Sequence, residues 1–356
     1  MNSIRLLVLF GGVSPEHEVS LRSAESILST LRRERYHVFP VGITKEGQWF
    51  YFGSRDYSLL PNNTWREDPS VCPAYLSPVR GEGLVIQTAE GVVREPVDVI
   101  FPVLHGENGE DGSIQGLAQL AGIPCIGAGI AASATSMDKS LTKLVVDHAG
   151  VRQAAWELVT SRDMVYSGDV IARLERRFAY PMFVKPAGTG SSVGVSKVRS
   201  AQQLLDALHA AFLYDQKVLV EEFIDGREIE CAVLGNEDPF ASVCGEIDAG
   251  ADFYDYDTKY LTDTAVLYIP GRISEAASER VRETAKKVYL ALGCRGLSRV
   301  DFFVTHADEE VVFNEINTLP GFTSISMYPK LMEASGVAYA DLLDRLVDLA
   351  LEDHHG

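Results

Sequence analysis

Gly296 to Gly321 reads GLSRVDFFVTHADEEVVFNEINTLPG, two apolar-rich runs on either side of the polar stretch His306 to Glu310. That is the pattern of a β-hairpin. A turn centred near Asp308 sets Asp301 opposite Glu315. Period-two alternation then puts Arg299, Asp301, Glu315 and Asn317 on one face and Val300, Phe302, Val304 and Val312 on the other. Three oxygen-bearing side chains and a cation share a surface backed by an apolar one. Oxygen-only ligation suits Mg²⁺, which takes one or two carboxylates and completes its shell with water and nucleotide phosphates. Asp301, Glu315 and Asn317 are therefore the expected metal ligands. Taken alone, the same pair of strands also reads as an exposed face with ordinary polar residues.

Upstream, Lys185-Pro186-Ala187-Gly188-Thr189-Gly190-Ser191-Ser192-Val193-Gly194 forms a glycine-rich turn between two strand patterns. It can bring backbone N–H groups close to phosphate oxygens, with Lys185 supplying charge. Its glycines miss both G-x-G-x-x-G and G-x-x-x-x-G-K-[ST], so neither a dinucleotide fingerprint nor a P-loop is present. A protein kinase is excluded as well. No H-R-D or D-F-G triplet occurs, and Asp301-Phe302-Phe303 lacks the glycine.

The chain has 356 residues, 46% hydrophobic and 23% charged, enough for a large core and two or three domains. Its net charge of −18 repels nucleic acid and anionic lipid at long range, so neither is an expected partner. A phosphate-bearing substrate is compatible with that charge if cations converge locally, since close charges outweigh a field screened beyond about 10 Å. Cys72, Cys125, Cys231, Cys244 and Cys294 make an odd set without a C-x-x-C pair. This fits reduced, buried thiols in a cytoplasmic protein rather than disulfides or zinc. The opening MNSIRLLVLFGG is too short an apolar run to span a bilayer and reads as a first strand.

From Ile4 to Phe10 runs that strand, followed by a helix with Ala24, Ile27, Leu28 and Leu31 at helical spacing. Strands at Val38 to Ile43 and Val97 to Leu104, alternating with helical stretches, predict a parallel sheet covered by helices. Met137, Leu141, Leu144 and Val145 form a further helical stripe ending near Gly150. Then come the strand MFVKP, the glycine turn, VGVSKV, a helix opened by a Ser200/Gln203 capping box, and the strand KVLVEEF. Strands at 227–234 and 240–247, a tyrosine-rich loop, a helix from Ser274, the hairpin and an amphipathic helix from Tyr339 to Leu351 complete the chain.

The lysine-bearing glycine loop, the strand VLVEEFIDGREIE and the acidic N-E-I-N hairpin together resemble the ATP-grasp superfamily. Within it, LFGGVSPEHEVS, FPVLHGENGEDGSIQG, MDKSLTK, VKPAGTGSSVGVSKV, FYDYDTKY, SRVDFF and NEINTLPGFTSISMYP resemble the D-alanine:D-alanine ligase family, in family order and over essentially the whole chain. The resemblance implies the ATP-grasp fold, of mixed α/β and α+β class. Its three parts are an N-terminal α/β domain with a parallel sheet (1–126), a central subdomain with the glycine loop (127–225) and a C-terminal subdomain with the metal site and lid (226–356).

It also implies ATP between the second and third domains, with Lys139 and Lys185 on the phosphates and Glu221, Glu222, Ile224 and Glu228 around adenine and ribose. Two Mg²⁺ ions, or Mn²⁺, accompany the nucleotide. A D-alanine is phosphorylated on its carboxylate, and the amine of a second attacks the acyl phosphate. Arg299 and the backbone N–H of Gly321 suit the oxyanion of that attack. The loop Ala249 to Thr264 is the expected lid, with Tyr254, Tyr256, Lys259 toward the phosphates, and Tyr260 in a hydrogen-bonded set with Ser191 and Glu18. Glu18 would hold the first D-alanine's ammonium, and His105 lies by the same substrate. Ser326 and Met327 sit where the vancomycin-resistance relatives usually carry arginine at the second position. Lys259-Tyr260 and an uncharged Met327 favour a dipeptide over D-alanyl-D-lactate or D-alanyl-D-serine, although NNTWREDP resembles the D-serine group. A cytoplasmic homodimer is expected by the same resemblance.

Overall fold

The computed structural model describes residues 3–190, 193–248, 266–323 and 325–355. Its strands form three sheets, one behind each of the three expected regions. The first has seven strands: β1 (Ile4–Gly11), β2 (Tyr36–Ile43), β3 (Trp49–Phe52), β4 (Val71–Leu76), β5 (Leu84–Thr88), β6 (Gly91–Glu95) and β7 (Val99–Leu104), in the order β6-β5-β4-β3-β2-β1-β7. Only β2, β1 and β7 are mutually parallel. β3 to β6 add on as an antiparallel meander, where the alternation of strands and helices predicted more parallel sheet. The reason lies in the loops. Residues 44–48 and 89–90 are far too short for a parallel crossover, which needs a dozen or more residues. Helix His17–Thr30 covers β1 with Leu21, Ala24, Ile27 and Leu28 buried, the face its spacing predicts.

The second sheet is antiparallel, β8 (Trp156–Thr160), β9 (Met182–Pro186), β10 (Ser196–Val198) and β11 (Lys217–Glu222), ordered β10-β9-β11-β8. Val170 and Leu174 of helix Ser167–Arg177 and Leu204 and Leu208 of helix Ala201–Ala211 fill its core. Ser200 caps the latter helix through Gln203 N–H. The Gln203 side chain returns to the Arg199 N–H at 2.8 Å, one residue earlier than a capping box requires.

The third sheet, β12 (Gly226–Leu234), β13 (Phe240–Asp248), β14 (Val266–Tyr268), β15 (Leu297–Thr305) and β16 (Val311–Asn317), runs β14-β13-β12-β15-β16. Helix Glu275–Ala291, capped by Ser274, packs behind it. Ala128, Ala132, Val146 and Val151 join the same core, so the chain from 128 to 151 packs on the third sheet.

That stretch departs from its sequence pattern. It is two helices, Ile130–Met137 and Lys139–His148, broken at extended Asp138, whose carboxylate caps the second. Leu141 and Leu144 face solvent, while Lys143 is only 2% exposed. The apolar stripe lost to electrostatics: the helix turns its lysines inward, where a buried carboxylate waits. Among the described residues no helix is long and apolar enough to cross a membrane.

The two ends of the chain share one core. Phe10, Leu21, Phe101, Leu297, Phe322, Tyr328, Leu343 and Leu346 belong to a single apolar cluster. Helix Tyr339–His355 is pinned to the first sheet by Asp344, which accepts from Tyr36 Oη at 2.5 Å and pairs with Arg32 and Arg35. Asp344→Ala leaves the buried Tyr36 hydroxyl without its acceptor. We expect it to lower unfolding stability by about 2 kcal/mol, read from denaturant titration, a modest loss because both arginines remain partly solvated.

Candidate active site

The hairpin β15–β16 pairs Asp301 with Glu315 and Arg299 with Asn317, the register that a turn near Asp308 requires. Val300, Phe302 and Val304 on the reverse face are at most 1% exposed. A bulge after Asp301 shifts the register toward the turn, so Val312, expected beside them, pairs instead with Phe303 on the cleft side, and Phe313 takes its place in the core. The Arg299 fork grips Asp301, Nε to Oδ1 at 2.8 Å and Nη2 to Oδ2 at 2.7 Å, and its Nε also lies 3.0 Å from Glu230 Oε2. Burial pulls the guanidinium's pKa down, but Asp301 and then Glu230 outweigh it, leaving it well above an ordinary arginine. Asn317 Nδ2 donates to Asp301 Oδ2 at 3.1 Å.

Facing this surface stand the lysines. Lys139 Nζ lies 3.9 Å from Glu315 and donates to Thr189 O in the glycine loop at 2.6 Å. Lys185 Nζ sits 2.9 Å from Glu221 Oε2 and 3.2 Å from Asn314 Oδ1. On the other oxygen of Glu221, Lys143 Nζ is 3.1 Å away. Burial alone would raise the Glu221 carboxyl, yet Lys143 and Lys185 bring it down to about 2. Lys143, more desolvated than compensated and close to two other lysines, has its own pKa lowered.

Lys139, Lys185, Glu221, Arg299, Asp301, Asn314 and Glu315 line a cleft of about 530 Å³ between the second and third sheets, together with Phe183, Phe223, Ile224 and Glu228; Lys143 and Asn317 line a smaller cavity beside it. The cleft's volume lies within the range of small-molecule sites. Phe183 and Phe223 stack at 6.2 Å, and Lys197 Nζ rests 4.0 Å from the Phe223 ring. Glu222, expected near the nucleotide, lines the cleft but also takes the Ala155 N–H at 2.8 Å and pairs with Arg152. Among the described residues no three histidine, cysteine or acidic side chains form a metal cage. The donor set is two carboxylates and an amide beside a phosphate-sized space. That fits Mg²⁺, which asks for few protein ligands, better than it fits zinc.

The smaller cavity, of about 40 Å³, is lined by Glu110, Lys139, Gly190, Glu315 and Asn317, between the hairpin face and the N-terminal loops. Here the structure departs from two expectations. Glu18 lies in the first turn of its helix, half exposed, with Lys45 Nζ at 2.5 Å. It faces away from the glycine loop. Glu16, just before the helix, points the other way: a Cβ on Gly190 or on Gly106 would fall 2.9 Å from Glu16 Oε2. The helix begins at His17, whose Nδ1 is fixed 2.7 Å from Gly12 O, so the two glutamates diverge.

His105, expected beside the first substrate, is 6% exposed, with Nδ1 3.0 Å from Leu319 O and Nε2 3.4 Å from Ser23 Oγ. Burial lowers its pKa, so the ring is neutral, and the carbonyl partner assigns its proton to Nδ1. Glu110, not singled out by the sequence, accepts from Gly106 N–H at 2.9 Å and Leu319 N–H at 3.1 Å. Burial, and then the charge of Glu16, push its carboxyl up to about 7.

Gly321 packs against Ser326, whose hydroxyl would stand 2.9 Å from a Cβ there and lies 2.7 Å from Thr323 Oγ1. Met327 does not face the cleft. It is 6% exposed in the shared core, its sulfur against Gly245. Ser191, Tyr254, Tyr256, Lys259, Tyr260 and the rest of the Ala249 to Thr264 loop lie outside the described residues. Of the residues missed, Glu230 was legible, since it shares strand parity with Glu228. Lys143, Glu110 and Asn314 owe their places to partners far off in the chain.

Comparison with known proteins accounts for this arrangement. Residues 5–128 match the family described as D-ala D-ala ligase N-terminus, and residues 145–348 the one described as D-ala D-ala ligase C-terminus. A D-alanine–D-alanine ligase of Caldicellulosiruptor bescii is 45% identical over 99% of this chain and 96% of its own. The solved VanG D-Ala:D-Ser ligase of Enterococcus faecalis superposes with a TM-score of 0.90 at 39% identity, covering 98% of this chain and 100% of that one. The D-alanine-D-alanine ligase of Coxiella burnetii gives 0.87 at 35% identity over 100% and 96%. With both family models matched and relatives similar along nearly the whole chain, this chain belongs to the D-alanine–D-alanine ligase family.

Proposed function

We propose that this chain joins two D-alanines to D-alanyl-D-alanine at the expense of ATP, for peptidoglycan synthesis, as a cytoplasmic homodimer. The observation that carries the reading is the hairpin face itself: Arg299, Asp301, Glu315 and Asn317 beside Lys139 and the glycine loop. In the first step an oxygen of the D-alanine carboxylate takes the γ-phosphoryl group and ADP leaves. In the second, the amine of the other D-alanine attacks the acyl carbon, the C–N bond forms, and phosphate departs as the amine loses its proton.

Negative charge accumulates in both steps, so cations held in advance serve each. Lys139 and Lys185 are assigned to the nucleotide phosphates, and Ile224 and Glu228 to the adenosine end of the cleft. Asp301, Glu315 and Asn317 would hold Mg²⁺, which neutralises phosphate charge when bound. Arg299 and the Gly321 N–H are assigned to the oxyanion. Ser191, Lys259 and Tyr260 keep the roles that the family resemblance implies. For the first D-alanine's ammonium we assign Glu16 in place of Glu18, because Glu16 borders both the glycine loop and Gly106.

D-Serine as second substrate is the competing reading, supported by the likeness to the VanG enzyme. Purified protein with ATP and Mg²⁺ should release phosphate with D-alanine and yield the dipeptide by mass. D-Lactate or D-serine as the preferred acceptor would overturn the D-alanine assignment, and no phosphate release with any of the three would overturn the ligase itself.

Arg299→Lys keeps a cation between Glu230 and Asp301 but loses the planar fork. We expect kcat to fall at least roughly 10²-fold, about 2.7 kcal/mol, with KM for ATP little changed. A near-normal kcat would remove Arg299 from the oxyanion role. Glu16→Gln should raise KM for D-alanine roughly 10-fold or more, whereas Glu18→Gln should leave it within about twofold. The reverse ranking would restore Glu18.

A further inference from the structure

The turn that carries Gly321 leaves β16 at Asn317 and runs through Thr318, Leu319 and Pro320 before reaching helix Met327–Ala334. It belongs to no sheet, so its position depends on what grips it. The two peptide groups that flank the Leu319 Cα are held by residues of one N-terminal segment. The Leu319 N–H donates to Glu110 Oε1 at 3.1 Å, and the Leu319 carbonyl accepts from His105 Nδ1 at 3.0 Å. Three residues on, Phe322 N–H donates to Ser23 Oγ at 3.2 Å. The second oxygen of Glu110 takes the Gly106 N–H at 2.9 Å. A single carboxylate therefore ties a peptide from the first sheet's loop to one from the third.

We propose that Glu110 is a positioning residue for the ligation, a clasp that joins the His105–Gly106 loop to the Leu319–Gly321 turn and so sets the Gly321 N–H opposite Arg299. This rests on the ligase reading above. A carboxylate suits the task because both donors are N–H groups and a carboxylate is acceptor-only on both oxygens. Glutamine at 110 could satisfy one donor but would present its own amide hydrogens to the other. His105 holds the next peptide, through the Leu319 carbonyl, so its ring nitrogens are spent on protein.

The nucleotide cleft is built from the second and third sheets and owes little to this clasp, so the two should separate in kinetics. For Glu110→Gln we expect kcat for dipeptide formation to fall on the order of 10²-fold, the loss typical of a misplacement of about 1 Å, with KM for ATP within about twofold of wild type. Ser23→Ala, which unties Phe322 from the same turn, should lower kcat in the same KM-sparing way, by a smaller factor. Asp98→Asn is the control. Asp98 also ties separate segments, taking the Arg5 N–H at 2.8 Å and the Arg5 side chain, but it lies at the opposite end of β7 from His105. It should shift the melting temperature and leave kcat unchanged.

An active wild type whose Glu110→Gln and Ser23→Ala variants keep kcat within about twofold overturns the clasp alone. So does a Glu110→Gln loss in which KM for ATP and melting temperature move together as in general destabilisation. A wild type that makes no dipeptide overturns the ligase reading, and this role with it.

Discussion

A guanidinium on β15 cannot discharge itself, and the third sheet is organised around that fact. Arg299 stays charged at any physiological pH, so burying it requires carboxylates at hydrogen-bonding distance, supplied by Asp301 along the strand and Glu230 across it. The same rule governs the other wall of the cleft, where Glu221 sits between Lys143 and Lys185. Each buried charge has an opposite partner in place before any substrate arrives. On the function proposed above, a phosphate would enter between cations already held in place, with little reorganisation left to do. This is how a chain of net charge −18 can keep an anion site: opposing charges within about 4 Å dominate over a screened distant field.

The site also depends on a long-range closure. Strands at the start of the chain and the helix at its end share one core, and the loops that meet at the small cavity come from all three sheets. The N-terminal loops supply Glu110 and, beside Gly190, Glu16; the second sheet supplies the glycine turn, and the third Glu315 and Asn317. No one of these sheets contains a reaction centre. Burying apolar surface between the first and third is what brings Glu110 within reach of Leu319, so packing energy far from the chemistry fixes the chemistry's geometry.

Much of this was legible in the residues. The pairing of Asp301 with Glu315 follows from alternation and a turn centre, because a one-residue slip would turn Asp301 into the apolar core and Val300 toward the cleft; the bulge next to it, which moves Val312 to the cleft side, leaves no signal in the alternation. The glycine loop was readable from composition. The antiparallel meander at 49–95 was not, since its strands are short and its connections, with nothing more than the 3₁₀ turns Tyr57–Leu59 and Trp65–Glu67, resemble loops in one dimension. Helix Lys139–His148 misled for a different reason: leucines at helical spacing imply a buried stripe, yet Leu144 is exposed and Lys143 buried because the partner, Glu221, is nearly eighty positions away. Glu16 and Glu18 differ only in where the helix starts, and helix boundaries are the weakest feature of pattern reading.

Acceptor specificity shows the same limit at the scale of one side chain. Met327 invites the reading that an apolar side chain there selects a methyl-bearing substrate. In the fold its sulfur packs on Gly245 inside the shared core, and a side chain buried there can influence the substrate only through helix Met327–Ala334. The capping residue of that helix, Ser326, is the one that touches Gly321. A larger or charged residue at 327 would have to leave the core, and in doing so would shift Ser326 and the Gly321 turn. On the function proposed above, discrimination between acceptors that differ by a hydroxyl would act through where this turn rests, and the Glu110 contact to Leu319 bears on the same turn.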